Sequence, residues 1–378
     1  MRKHYYVNFN RNLILFQYKN LLELLLCFIP AVAAAAVFLL LRCSSAQTID
    51  NVYSSKIYVC ISSFLGYFSR LTKHSITSII YILLAAAIVF IIITFAFNII
   101  KSPDKLAVAG AYLKIVVFIV SLILFLFSIL CMPNYYRLTF AEKANIELSD
   151  YTVSDLEKMC LHIIEQTNIE RDKIPNDIIL RYDDVAVESK LAFDSLSEEY
   201  PFLGKSTALP KSFMFSKYLT VLNLTGFYFP YTGEANVNTH MPATELPFTM
   251  CHELSHTRGF MRENEANYIG FAACMRSDDP FIRYSGLYCA LMHSMNSLYA
   301  EDQERYFELR KLYSESVSGD AAALDQFWRP YFDTPAAEFS NTVNDVYLKA
   351  NDLSDGIKSY GRMVDLLMTQ FLKNGTLV

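Results

Sequence analysis

Apolar positions along this chain change their pattern about one third of the way through. They first form three long blocks, then settle into the periodic spacing of half-buried helices. The first block, LLELLLCFIPAVAAAAVFLLL, runs from Leu21 to Leu41; the others cover Ile76–Ile100 and Ala107–Met132. A bilayer core takes about 20 apolar residues as helix, so the pattern predicts three N-terminal transmembrane helices. Glu23 and Pro30 are tolerable defects in the first, and Lys114 in the third can snorkel to the interface. Residues 1–135 then form a membrane region and residues 136–378 a second domain. Between the first two blocks, Ile57, Ile61, Phe64, Leu65 and Phe68 recur at helical spacing. That predicts an amphipathic helix lying on the membrane or against the second domain.

The second region reads as mainly α with a small β element. Ser154 and Glu157 form a capping-box pattern before a helix carrying Leu156, Met159, Cys160, Ile163 and Ile164 on one face. Another helix is expected over about 186–199. The string GFYFPYTGEANVN, 226–238, breaks the period, and its aromatic residues, Pro230 and Gly233 predict two short strands around a turn. Helical patterns return from about 244 to 373, punctuated by Gly259, Pro280, Gly319 and Pro335.

Charge divides along the same line. Residues 1–135 hold 11 Lys/Arg against 3 Asp/Glu, whereas the remainder carries 22 against 35. An acidic second domain lacks the basic footprint that nucleic acid requires, and the basic part is suited to a lipid bilayer. The Lys/Arg bias favours a cytoplasmic N-terminus, which with three spans puts residues 133–378 outside the cytoplasm. The eight cysteines show no CxxC spacing and read as buried thiols; a Cys274–Cys289 bridge is the alternative.

The chemistry concentrates in PFTMCHELSHTRGFMRENEANYIG. His252 and His256 are four apart, so on a helix ending at Gly259 they project from one face. Two neutral imidazoles there can bind Zn2+, and Glu253 beside the first can deprotonate a water that the metal activates. This is the HExxH pattern of zinc metalloproteases. A third ligand is needed. Arg262 stands where a third His would fall at the metzincin spacing, and two carboxylates follow, Glu263 and Glu265. Being two apart, they face different ways, so one of them reaches the zinc. Glu263 is preferred because Asn267, one turn later, can orient a ligand His. An oxyanion also needs a donor. Tyr284 is the first candidate, followed by Arg283, His293 and Tyr360, with His240 a loop residue within reach. Gly226–Asn238 serves either as an edge strand for an extended peptide or as a structural hairpin.

With these strings in view, the layout resembles a family of functionally uncharacterised bacterial multi-span membrane proteins. The matching strings are GFYFPYTGEANVN, PFTMCHELSHTRGFMRENEAN, RYSGLYCAL and YLKANDLSDGIKSYGRMVDLL. The resemblance implies a zincin-like, gluzincin-type metallopeptidase domain acting on a peptide or protein at the outer face of a bacterial membrane. It brings no substrate. Two alternatives stay open: a membrane sensor or scaffold with a structural zinc, and a zinc hydrolase of a non-peptide amide in the cell envelope. Oligomeric state is not legible.

Overall fold

The computed structural model describes residues 21–175, 180–205, 208–350 and 363–377. The chain is mostly helical and divides into two compact units. The first holds α1 (Ile29–Cys43), preceded by a short helix Leu21–Cys27 that bends from it by 41°. Pro30 stands in the first turn of α1, where its missing N–H and fixed φ favour a new helix start over continuation.

The second unit takes in Ala46–Ile79 and the chain from Asn134 onward. The sequence suggests one boundary near residue 135. The units instead interleave, and most of the 42–75 segment goes with the second. There Asp50–Ile57 winds as a π-helix and α2 spans Tyr58–Arg70. The expected amphipathic helix therefore exists, but it buries its polar side. Tyr58, Gly66 and Ser69 are buried, while Phe64 and Phe68 are exposed.

Two helices, α3 (Ile76–Lys101) and α4 (Lys105–Leu130), are long and apolar enough to cross a membrane; counting the bent pair as one span gives up to three. Most of α3 and all of α4 belong to the first unit. There Lys114 pairs with Glu23 at 2.6 Å. The two charges that looked like separate defects satisfy each other, which is how ionisable groups persist in apolar surroundings.

The rest of the second unit begins with α5 (Val153–Asp172) and α6 (Tyr182–Glu199). The α5 cap differs from the expected one: Thr152 and Asp155 exchange the capping-box bonds, both at 3.2 Å, which leaves Ser154 inside the first turn. A three-stranded sheet follows: β1 (Lys211–Ser212), β2 (Gly226–Phe229) and β3 (Glu234–Val237), in the order β1-β3-β2. β2 and β3 are the expected pair around Gly233, antiparallel with Phe227 opposite Asn236; β1 joins β3 in parallel. The remaining helices are α7 (Leu246–Thr257), α8 (Glu263–Cys274), α9 (Pro280–Glu301), α10 (Gln303–Arg310), α11 (Glu315–Phe332), α12 (Pro335–Ala350) and α13 (Met363–Asn374). Apolar faces of α5 to α11 and α13 close around a main core, including Ile163, Phe193, Leu254, Ile269, Leu291 and Leu367, and a second, smaller cluster gathers Val237, Met250 and Trp328. Cys274 and Cys289 are separate free thiols, so the bridge between them is not formed.

Candidate metal centre

Helix α7 is built to stop abruptly. Gly259 takes φ +83°, its N–H donates to the His256 carbonyl at 2.9 Å, and Phe260 N–H donates to the Ser255 carbonyl at 3.2 Å. This glycine-terminated cap turns the chain back at once, so α8 starts four residues later and packs against α7. Gly270 permits the approach, since a Cβ there would lie 3.1 Å from His252 N.

Carbonyls at the end of α7 also accept from parts of the chain distant in sequence. Tyr58 Oη donates to the His256 carbonyl (3.2 Å), Ser62 Oγ to that of Thr257 (2.8 Å) and Arg137 Nη1 to that of Arg258 (3.1 Å). Arg137 is itself buried against Asp50. A second network joins the same segment to the sheet. The buried Glu234 carboxylate accepts from Ser69 Oγ (2.9 Å), Ile76 N–H (3.1 Å) and Thr77 N–H (2.8 Å). A carboxylate thus caps the start of α3, where helix N–H groups favour negative charge.

His252, His256 and Glu263 come together and can hold a metal ion; their candidate ligand atoms all lie within 4.8 Å of one another. The two Nε2 atoms are 3.1 Å apart, and Glu263 Oε2 lies 3.2 Å from His252 Nε2. Two ligands at about 2.0–2.1 Å on a tetrahedral ion stand roughly 3.3 Å apart, so the spacing fits. His256 Nδ1 sits 2.7 Å from the Phe260 carbonyl. A carbonyl only accepts, so Nδ1 carries the proton and Nε2 keeps its lone pair for the centre. Burial pushes the His256 pKa down to about 4. Burial would raise Glu263, but the His256 and His252 rings outweigh it and hold the carboxylate ionised. Burial likewise opposes a charge on His252, yet Glu263 raises its pKa, with Asn267 assisting. Its Nδ1 nevertheless lacks a regular hydrogen-bond partner, as does Glu253 Oε2, and both atoms are buried. Burial lifts the Glu253 pKa to about 8. The lone pair left on His256 Nε2, a His252 ring drawn to the ionised Glu263 carboxylate and orphaned buried polar atoms together form a donor set suited to a divalent cation.

The centre opens into a cavity of about 970 Å³ whose lining includes His252, Glu253, Glu263 and Leu222–Tyr228. Of the other sequence candidates, His293 lines it, and burial lowers its pKa to about 4. Tyr284 does not. It is fully buried and its hydroxyl donates to Asp320 at 2.7 Å, with Arg171 on the same carboxylate. The structure thus places its hydroxyl in a buried hydrogen bond to Asp320 and outside the cavity lining. Arg283 is paired with Glu170 (3.0 Å), and His240 bonds Thr220 away from the cavity lining. Glu265 turns from the centre to Arg262 and the Phe140 N–H. Tyr360 lies outside the described residues.

Sequence reasoning missed Gly226. A Cβ there would stand 2.7 Å from Glu253 Oε1, so only glycine lets β2 run alongside that carboxylate. A glycine inside a strand pattern is a recognised sign of close approach and was available.

Glu245, also in the lining, accepts from Trp328 Nε1 at 2.8 Å, and burial raises its pKa from 4.5 to about 7. The folded state therefore holds a proton there that the unfolded chain releases from about pH 4.5 upward. Stability falls as pH rises from 4.5 to about 7 and is level beyond. Glu245→Gln keeps the acceptor for Trp328 without that loss. Its melting temperature relative to wild type should climb across this interval; a difference that does not vary with pH would contradict the assignment.

Fold and site together define a largely helical, membrane-associated chain with a buried two-histidine, one-carboxylate group able to hold a metal ion. Residues 53–368 match a family described as a protein of unknown function (DUF3810), and the chain belongs to that family. No curated protein and no solved structure matches it.

Proposed function

We propose that this chain is a membrane-anchored zinc metallopeptidase. The observation that carries the reading is the pairing of a three-residue donor set, two of its members on α7 and one on α8, with the buried, partnerless Glu253 carboxylate oxygen of α7, both facing the cavity. A structural zinc site closes on a fourth protein ligand. Among the described residues no fourth His, Cys, Asp or Glu joins the group, which supports a catalytic reading over a structural one.

His252, His256 and Glu263 hold the ion. Bound zinc supplies a Lewis acid that acidifies water and polarises a carbonyl. Glu253 receives the proton of the attacking water at its carboxylate and passes it to the leaving amine. The adjacent edge strand β2 carries an extended peptide backbone, and His293 donates to the developing oxyanion. The Lys/Arg bias supports a location of this chemistry outside the cytoplasm of a bacterial cell.

Metal content tests the reading first. The full-length protein, purified with zinc supplied, should contain about one zinc per chain, and His256→Ala should lose it. A wild type that takes up no zinc would end the proposal.

A further inference from the structure

The cavity continues well beyond the metal-holding group, and its lining changes character there. Met292 of α9, Leu324, Trp328 and Phe332 of α11, and Phe339 and Val343 of α12 all contribute to it. Four of these are exposed by large fractions: Met292 41%, Phe332 49%, Phe339 67% and Val343 51%. Single exposed apolar residues are ordinary, but a cluster gathered around one concave site marks a binding groove. Phe339 and Val343 are one helical turn apart, so α12 turns an apolar stripe to this cleft.

Charge narrows the occupant. Away from the metal-holding group the lining carries Glu245 and Asp325 against Arg310, whose guanidinium donates to the Tyr306 hydroxyl at 2.7 Å. Arg310 is thus the one Lys or Arg among the described lining residues that a fatty carboxylate or an anionic lipid headgroup could meet, and it is already hydrogen-bonded. A peptide backbone carries no charge, and edge strand β2 borders the same cleft through Gly226–Tyr228. Strand edges offer main-chain hydrogen bonds to another extended chain, which an acyl chain cannot use.

We infer that the substrate is an extended peptide carrying bulky apolar side chains beside the bond presented to the metal centre, with acidic side chains excluded. The inference rests on the peptidase reading and specifies its substrate. Main chain runs along β2, and leucine-, methionine- or phenylalanine-sized side chains cover the wall formed by α9, α11 and α12.

Trp328 is the only tryptophan in the chain, so its emission reports on this cleft alone. The full-length Glu253→Gln protein, reconstituted in phosphatidylcholine vesicles, is titrated with two short peptides lacking Trp. They differ only at a central pair, Leu-Phe in one and Asp-Ser in the other. The Leu-Phe peptide should shift Trp328 emission saturably and bind at least about tenfold more tightly than the other. Phe339→Ser and Val343→Ser change exposed side chains, so folding, checked by circular dichroism, should persist. Each should weaken the Leu-Phe peptide several-fold, on the order of the transfer free energy of the lost side chain. Equal binding of both peptides, no saturable shift with either, or undiminished binding by both variants would overturn the inference. So would a shift produced by laurate and by neither peptide, which would assign the cleft to acyl chains. Cleavage by the zinc-loaded wild type is read in parallel. Selective binding without cleavage removes the peptidase reading and keeps the recognition; cleavage without apolar preference does the reverse.

Discussion

Glu253→Gln should lower peptide hydrolysis by about a hundred- to ten-thousand-fold, the range for loss of a general base, with zinc content unchanged. The substitution is nearly isosteric and removes only the ability to take a proton. Glu253 is 3% exposed, and its Oε2 has no hydrogen-bond partner, so no second role competes for it. It follows His252 directly and thus points to a different side of α7 from the two ligand rings. The metal-holding group should therefore be indifferent to the change. Paired measurements of bound zinc and turnover decide the matter. Parallel loss of both would make Glu253 a structural support for the centre, and unaltered turnover would take the proton-transfer role away from it.

Gly226→Ala should damage the same step from outside the HExxH motif. The added carbon would meet Glu253 Oε1 at 2.7 Å, Glu253 Cγ at 2.9 Å and the Asn236 carbonyl at 2.9 Å. One of those neighbours is backbone in the paired strand β3, so the carboxylate is the group most free to move. Displacing a catalytic group by about 1 Å costs on the order of a hundredfold in rate, and forced packing costs about 1–3 kcal/mol of stability. Zinc binding should survive. Gly319→Ala is the matched control, because a Cβ at that position meets nothing within 4 Å. If Gly226→Ala turned over at the wild-type rate, β2 would have room to shift, and the close approach would carry no catalytic meaning.

What could be read in advance was whatever depends on neighbours in sequence. The spacing of His252 and His256, the glycine that ends their helix and the hairpin around Gly233 are all local, and their geometry follows from helix and turn rules. Choosing between Glu263 and Glu265 was harder. Both lie in the first turn of α8, and the decision came from Arg262 and the Phe140 backbone drawing Glu265 away. Tyr284 was unreadable for a similar reason, since Asp320, the carboxylate that occupies its hydroxyl, lies 36 residues further on. The most distant information concerned residues 46–79. Between two apolar blocks they look like a simple connection. Yet Ser62 bonds Thr257 across 195 positions, and Ser69 bonds Glu234 across 165. No local pattern encodes pairings of that separation. The apolar stripe of α2 stays exposed, as a face turned to a membrane would, and what it did not announce is that the hydroxyls on the other side serve the backbone and carboxylate groups of α7 and β3.

The interleaving of the two units also imposes a rule of parity. Residues 46–79 and those from 134 onward belong to one compact unit, so they must end up in the same compartment. The chain between them, Ile80–Pro133, therefore has to return to the side it left. It crosses a bilayer twice or not at all, and never an odd number of times. A single crossing would strand Ser62 and Tyr58 away from the carbonyls of the metal helix and leave the Glu234 carboxylate buried without its donors. α3 and α4 must therefore enter a bilayer together or stay out of it together, and a single cut near residue 134 would separate Tyr58 and Ser62 from the α7 carbonyls they serve.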